Sequence, residues 1–365
     1  MRKTIKQIST AIIILYVLCI GCKDNVTDTS LNFEIHLCYQ KQCNNSHWQI
    51  YIDNINGTIQ KNISNNPNND AYGPVWSPNG KYIAFRYDRE NGTGSDIYLY
   101  NIFNAVKINI TPEFTLSESA SPKLWSPDSK KLIYYYHKIG EPPCYYIMNA
   151  DGTEKKKLFE SESVSLISFC DDGSSILFSK KQFLYKVNLL NMSTEMILDF
   201  KKMSNNSIYV DGYNPNSNTI LCHEDSSSWD GGATFSIKKV NLNTKEVETL
   251  VVSENGIKLF HPVLSNDGSK IAYIERDNDN IISRIILIKE GNKIKLNELK
   301  NKNESYGAYI EFSPHSNYLI YTVRKIFSNE RVSITYDVYV LNIVTREAHI
   351  VTEAVDPHWN PLINY

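Results

Sequence analysis

One short pattern recurs seven times along this 365-residue chain, and it constrains the possible fold more than any other feature. The first six copies contain an apolar anchor, a turn rich in Pro, Asp, Asn, Gly and Ser, and then a run of apolar residues, whereas the last copy, at 359–361, is truncated. Successive anchors are 44 to 51 residues apart, at Trp76, Trp125, Phe169, Tyr213, Leu264, Phe312 and Trp359. A period of this length is typical of arrays in which each repeat is one supersecondary unit, and propeller blades fall within its range.

The first complete repeat contains four strand signals, which we call A to D. They cover residues 73–77, 81–87, 96–101 and 106–111. The Ser-Pro-Asn-Gly sequence at residues 77–80 predicts a tight turn between strands A and B, because Pro fixes φ and Gly tolerates positive φ. Strands B and C are apolar on both faces, which favours a sheet that is packed between two others.

The motifs of this repeat resemble the TolB-type β-propeller repeat. They are Val-Trp-Ser-Pro-Asn-Gly at residues 75–80, Ile-Ala-Phe at 83–85 and Asp-Ile-Tyr-Leu at 96–99. The resemblance extends from about residue 31 to the end of the chain and implies an all-β propeller. It identifies a fold well and an activity poorly.

The repeats also predict how many blades form and how the ring closes. Complete units begin near residues 72, 121, 165, 209, 261 and 309, and three further strands are expected at 33–39, 48–53 and 58–63. A strand near residues 357–361 would supply the missing strand A of this N-terminal blade and remove the open sheet edges. We therefore expect seven four-stranded blades, closed by the C-terminal strand; six blades with one terminus as a cap is the alternative.

The N-terminus has the features of a targeting segment. A basic start precedes the apolar residues 8–20, and Ile-Gly-Cys at 20–22 resembles the lipobox of bacterial lipoproteins. We expect a signal peptide at residues 1–21, lipidation of Cys22, a polar tether at 22–30 and one propeller domain at 31–365. We therefore expect the protein in the cell envelope, lipid-anchored to the outer membrane on its periplasmic or surface face. An ordinary signal peptide or an uncleaved anchor is the alternative.

Charge and motifs exclude several function classes. With 38 basic and 40 acidic residues the formal net charge is −2, which lacks the basic excess of a general nucleic-acid binder. The sequence contains no G-x-S-x-G, H-E-x-x-H or P-loop motif. We therefore expect a monomer with no catalytic residues, no metal and no cofactor.

The cysteines beyond residue 22 are interpreted separately. Cys38 and Cys43 have a spacing that would allow a disulfide across a hairpin, in an oxidising compartment. Cys144, Cys170 and Cys222 lie in or near apolar strand segments and are expected to be buried thiols.

Loop lengths indicate where a partner would bind. The A–B and C–D turns share one rim of the ring, the short-turn rim, and the B–C and D–A connections share the other, the long-loop rim. Long loops are expected at 88–95, 137–143, 224–233, 276–281 and 324–335, and binding sites are usually found on such loops. The candidate partner-binding residues are Trp229, Asp230, Arg324, Phe327 and Arg331. Alternatively, Trp229 packs on its own blade.

Four histidines leave an enzymatic alternative open. His137, His223, His261 and His358 are expected toward the long-loop rim, and the last two begin strands that approach the axis. The segment 261–268 is faintly similar to the repeat of oligogalacturonate lyases. The favoured hypothesis is a noncatalytic, lipid-anchored propeller that binds envelope proteins; the alternatives are a glycan- or small-ligand-binding module, or a polysaccharide lyase or hydrolase that uses the axial pocket.

Overall fold

The structure is a computed structural model that describes residues 35–362, apart from residues 44–46, 66–67, 91–93, 163, 171, 227–233, 254–256, 278–281 and 329–331. The predicted signal peptide, Cys22 and the tether lie outside the described residues. No helix in the described part of the chain has the length and apolar character needed to span a bilayer.

The described residues form 28 strands and a short 3-10 helix, Phe200–Lys202. The strands are β1 (Leu37–Gln42), β2 (Trp48–Asp53), β3 (Lys61–Asn62), β4 (Ala71–Trp76), β5 (Tyr82–Asp88), β6 (Ser95–Asn101), β7 (Val106–Asn109), β8 (Glu118–Trp125), β9 (Lys131–Lys138), β10 (Cys144–Asn149), β11 (Lys156–Glu160), β12 (Val164–Phe169), β13 (Ser175–Lys180), β14 (Phe183–Asn188), β15 (Thr194–Asp199), β16 (Ser207–Asn214), β17 (Thr219–Ser226), β18 (Thr234–Asn241), β19 (Val247–Val252), β20 (Lys258–Leu264), β21 (Lys270–Arg276), β22 (Ser283–Lys289), β23 (Asn292–Leu299), β24 (Glu304–Phe312), β25 (Tyr318–Ser328), β26 (Val332–Asn342), β27 (Ala348–Glu353) and β28 (Val355–Trp359).

These strands form an all-β propeller, as the sequence predicts. Within the described residues there are five four-stranded sheets and one eight-stranded sheet, rather than seven separate sheets. The eight-stranded sheet consists of two antiparallel units, β4–β7 and β8–β11, joined by one parallel pairing of Ser95 with Ser119. The innermost strands β4, β8, β12, β16, β20, β24 and β28 contact one another in that order, and β28 contacts β4.

The predicted closure by the C-terminal strand is observed. β28 pairs antiparallel with β1, and Trp359 lies opposite Leu37. The side chain of Trp359 is buried, and the side-chain amide of Asn360 donates a 2.9 Å hydrogen bond to the carbonyl of Ile35. The first and last described segments of the chain therefore share one sheet.

The core lies between neighbouring sheets. One cluster joins Leu37 and Tyr39 of β1 to Val338 and Val340 of β26, all of them buried. Similar clusters join the other sheets, so that inner and middle strands are apolar on both faces. This arrangement explains why the sequence of these strands shows continuous apolar runs.

A repeated side-chain hydrogen bond builds the turns that follow the inner strands. The hydroxyl of Ser126 donates to Asp128 at 2.6 Å and accepts a 2.8 Å hydrogen bond from the backbone NH of Lys131. The same Ser-x-Asp arrangement joins Ser265 to Asp267. These local bonds fix the turn that the Ser-Pro-Asp and Ser-Asn-Asp sequences predict.

The predicted disulfide between Cys38 and Cys43 is wrong: both cysteines are free thiols. β1 continues without a turn from Leu37 to Gln42, so the two residues lie on one extended segment. At about 3.3 Å per residue their Cα atoms are roughly 16 Å apart, whereas a disulfide requires less than about 7 Å. Cys144, Cys170 and Cys222 are buried, as expected.

Candidate functional site

Charged side chains reach the axis of the ring because the inner strands are bulged. Within the described residues, every inner strand shows a register shift against its neighbour. A bulge inserts an extra residue and changes the direction of its side chain. The residues at these shifts include Lys123, Asp211, His261, Tyr309 and Asp356. His261 and Asp356 have positive φ angles of 49° and 53°.

The first axial cluster joins β24 to β28. The hydroxyl of Tyr309 lies 2.6 Å from His358 Nδ1 and donates to Glu311. His358 also lies 3.4 Å from a Glu311 oxygen and 3.5 Å from an Asp356 oxygen. Because the single hydroxyl proton of Tyr309 goes to Glu311, the bond to His358 requires a proton on Nδ1.

The electrostatics of this cluster favour a charged His358. Burial alone would lower the pKa of His358, but hydrogen bonds and charge interactions with Asp356 and Glu311 outweigh it and raise that pKa to about 10. Burial likewise opposes ionisation of Asp356, yet the His358 hydrogen bond lowers the pKa of Asp356. His358 is therefore an imidazolium held between two carboxylates at neutral pH.

A second cluster joins β16, β17 and β20. His223 Nδ1 lies 2.9 Å from both carboxylate oxygens of Asp211, and its ring stacks on Tyr209 with centroids 5.0 Å apart. Burial raises the pKa of Asp211 although His223 opposes the shift. Burial, together with the charges of His223 and Arg276, lowers the pKa of His261, so His261 is neutral near pH 7.

Basic groups complete the axial surface. Burial lowers the pKa of Lys123, and the charge of Asp356 opposes that shift. Burial lowers the pKa of Arg276, and the positive charge of Arg324 lowers it further. Arg276 ends β21 and Arg324 pairs with the first residues of β24, which places both toward the long-loop rim.

The axial surface opens into a cavity at the short-turn rim. It has a volume of about 350 Å³ and lies between the ends of β16, β20, β24 and β28. Asp211 and Glu311 contribute its carboxylates, and Tyr213, Phe312 and Trp359 contribute aromatic surface. Within the described residues, no three His, Cys, Asp or Glu side chains are arranged so that they could hold a metal ion.

The partner-binding residues predicted from the sequence are only partly placed. Trp229, Asp230 and Arg331 lie outside the described residues, as does the predicted lipidation site. Arg324 and Phe327 lie on β25 rather than in a loop, because β25 and β26 each extend to 11 residues and absorb most of the predicted 324–335 loop. Phe327 has 47% of its surface exposed, and Ile334 on the opposite strand has 46%.

A groove lies beside this β25–β26 hairpin on the long-loop rim. Its volume is about 430 Å³, and its walls include Trp48, Ile334 and Tyr336. Cys43 also lines it, with its thiol 3.3 Å from the hydroxyl of Tyr51. The hairpin and the groove together form an uneven surface that carries both apolar and polar groups.

Sequence reasoning identified the axial histidines but missed their partners. Five polar residues that lie singly in apolar strands were not predicted to belong to the site: Lys123, Asp211, Tyr309, Glu311 and Asp356. All of them, like His261 and His358, lie one to three residues before the anchor of their repeat. This shared position was the signal in the sequence that would have grouped them.

Solved structures with the same fold include proteins of different activities. An oligogalacturonate lyase in complex with manganese is 15% identical, with a TM-score of 0.54 over 79% of this chain and 74% of that chain. A puromycin hydrolase is 11% identical, with a TM-score of 0.59 over 87% of this chain and 52% of that chain. TolB from Acinetobacter baumannii is 16% identical, with a TM-score of 0.46 over 90% of this chain and 67% of that chain.

At these identities the similarity to the lyase and the puromycin hydrolase shows the fold alone. No curated protein matches the sequence. The model of the TolB beta propeller domain family matches residues 35–227, which is more than half of the chain. The chain therefore belongs to the TolB β-propeller domain family.

Proposed function

We propose that this protein is a noncatalytic propeller that binds a protein partner of the bacterial cell envelope on its long-loop rim. The observation that carries the proposal is the β25–β26 hairpin, which exposes Ile334 on the face that lines the groove and Phe327 on its other face. Exposed aromatic anchors next to a concave surface are typical of protein interfaces, where a few such residues supply most of the binding energy.

The construction of the hairpin supports a role in binding. Its two strands pair without a break, from Tyr318 opposite Asn342 to Ser328 opposite Val332. The exposed side chains therefore stand on a regular pair of strands rather than on a loop. The charge pair between Lys325 and Asp337, at 2.5 Å, joins the two strands below Phe327. A rigid platform loses little conformational entropy when a partner binds.

The proposal includes the organisation of the chain. Residues 1–21 are a signal peptide, Cys22 carries the lipid, residues 22–30 are the tether and residues 31–365 form the propeller. We count seven blades, because one residue pair joins the two halves of the eight-stranded sheet and seven inner strands contact one another in a closed ring.

The experiment compares partner capture by three forms of the protein. Phe327→Ala together with Ile334→Ser should reduce capture from envelope extract by about 30-fold or more, because a central aromatic anchor is commonly worth at least 2 kcal/mol. Val344→Ala is the matched control, since Val344 is 78% exposed but lies in the β26–β27 turn on the opposite rim. Equal capture by all three forms, with unchanged thermal midpoints, would reject the hairpin as the binding site.

A polysaccharide lyase or hydrolase is the second candidate, because histidines and carboxylates converge at the axis. The neutral His261 would serve as a general base and the protonated His358 as a general acid. The test is the cleavage of a uronate-containing polysaccharide. Cleavage by the wild type that is lost in His261→Ala would replace the binding proposal.

A further inference from the structure

The axial cavity at the short-turn rim has acidic side chains in its lining. Two of its lining side chains, Asp211 and Glu311, are carboxylic acids, and none of the described residues that line it is a lysine, arginine or histidine. Tyr213, Phe312 and Trp359 also line it, although Phe312 and Trp359 are only 5% and 3% exposed. A concave site with a few convergent polar groups and apolar walls is the usual form of a small-ligand site.

The protein holds both carboxylates in fixed orientations. Asp211 is bound by the imidazole of His223 through both oxygens, and one oxygen of Glu311 accepts from Tyr309 and lies near His358. Within the described residues, the second oxygen of Glu311 accepts no hydrogen bond. A donor that enters the cavity therefore meets an acceptor that has already been positioned, which lowers the entropic cost of binding.

The charge of Asp211 is incompletely balanced by the protein. Elsewhere in the chain, Glu224 is surrounded by Lys238 and three hydrogen-bond donors, and despite burial its pKa falls to about 2. Within the described residues no lysine pairs with Asp211, and burial raises its pKa although His223 opposes the shift. A buried carboxylate of this kind is stabilised when a positive group is brought next to it.

We propose that this cavity binds an alkylammonium or guanidinium group, which is placed between Asp211 and Glu311 with its apolar stem against the half-buried Tyr213 and Val263. Aromatic faces add a favourable interaction with such cations. A side chain of lysine or arginine presents this chemistry, either within a peptide or in a free amine. The site lies at the opposite end of the ring from the β25–β26 hairpin, so it is independent of the function proposed above.

The test uses calorimetric titration of the full folded chain with four probes. These are the blocked amino-acid amides of lysine, arginine and norleucine, and n-butylamine. We expect the lysine and arginine probes to bind and the norleucine probe, which has the four-carbon side chain of lysine without the terminal ammonium group, to bind at least tenfold more weakly. Butylamine that binds as tightly as the lysine probe identifies the amine alone as the ligand, whereas a preference for the blocked amide indicates a peptide.

The variants locate the site. Glu311→Gln and Asp211→Asn keep the size of each side chain and should each weaken the lysine probe about tenfold, because each removes one charge-assisted contact. Glu154→Gln is the control, since Glu154 is an exposed acid in the β10–β11 turn on the same rim. If the Asp211→Asn variant does not fold, the affinity of the Glu311→Gln variant for the lysine probe alone tests the proposal.

Three results would overturn the proposal. They are equal binding of the norleucine probe, undiminished binding by Glu311→Gln, and equal weakening by Glu154→Gln. Calcium or manganese that binds at this cavity and displaces the lysine probe would show that the ligand is a metal ion instead.

Discussion

The closing strand offers the sharpest test of the fold, and Trp359→Ala is its mildest perturbation. The side chain of Trp359 is 3% exposed and packs with Leu37, Tyr39 and Ile320. Its indole NH donates a 3.3 Å hydrogen bond to the carbonyl of Glu311. The residue therefore joins β24, β28 and the N-terminal sheet, and its truncation leaves a cavity where these elements meet.

The expected loss is large compared with the stability of a domain. Truncation of a buried tryptophan to alanine costs about 3–5 kcal/mol, and whole domains are stable by about 5–15 kcal/mol. For a domain of this length the midpoint of thermal unfolding should fall by about 4–7 °C, because the entropy of unfolding scales with the number of residues. Urea unfolding followed by circular dichroism measures the same loss as a lower midpoint.

A deletion of residues 355–365 is the stronger version of this test. It removes β28, exposes the unpaired edge of β1, and abolishes the pairings of Leu37 with Trp359 and of Gln40 with Val355. An open edge of this kind promotes association, so light scattering should rise well below the midpoint of the parent. Val344→Ala, at an exposed turn, is the control for loss of an apolar side chain. Wild-type stability of both Trp359→Ala and the deletion would refute the role of β28 in closure.

Three further predictions concern separate features. The pKa of His358 is raised from 6.5 to about 10, so its contribution to stability is complete below pH 6.5 and is lost as the pH rises toward 10; in urea titrations His358→Gln should remove this loss. Gly152→Ala should destabilise the protein more than Gly140→Ala, because both glycines have positive φ but only at Gly152 would a Cβ meet the Ile110 carbonyl oxygen, at 2.2 Å; equal thermal shifts would contradict this. Cys22→Ala should release the protein from the membrane fraction or block its processing, and mass spectrometry that finds an unlipidated mature N-terminus elsewhere would contradict the lipobox assignment.

The blade structure was predictable because its determinants are local in the sequence. The predicted strand at 48–53 coincides with β2, and the predicted strands at 73–77 and 81–87 lie within two residues of β4 and β5. Turn residues such as Ser126 and Asp128 form their hydrogen bonds within five residues of each other. Such contacts do not depend on the rest of the ring, so sequence patterns report them directly.

The axial clusters were not predictable in the same way. Asp211 and Glu311 are 100 positions apart in the sequence and line one cavity only because the ring brings β16 and β24 together. The bulges that turn these side chains toward the axis shift strand register without an obvious sequence mark. The disulfide prediction was wrong for the opposite reason. Cys38 and Cys43 are close in sequence, but an extended strand keeps them apart in space.

The two ends of the ring differ in chemistry, and this difference allows the two binding proposals to be separated. Arg276 and Arg324 lie toward the long-loop rim, whereas the carboxylates of Asp211 and Glu311 face the cavity at the short-turn rim. Residues that share no contacts usually contribute additively to free energies, so variants at the two ends should not influence each other. Phe327→Ala should leave binding of the lysine probe unchanged, and Glu311→Gln should leave partner capture unchanged. If Glu311→Gln also weakens capture while the protein remains folded, the two ends of the ring are coupled in partner binding, and the separation of the two sites is wrong.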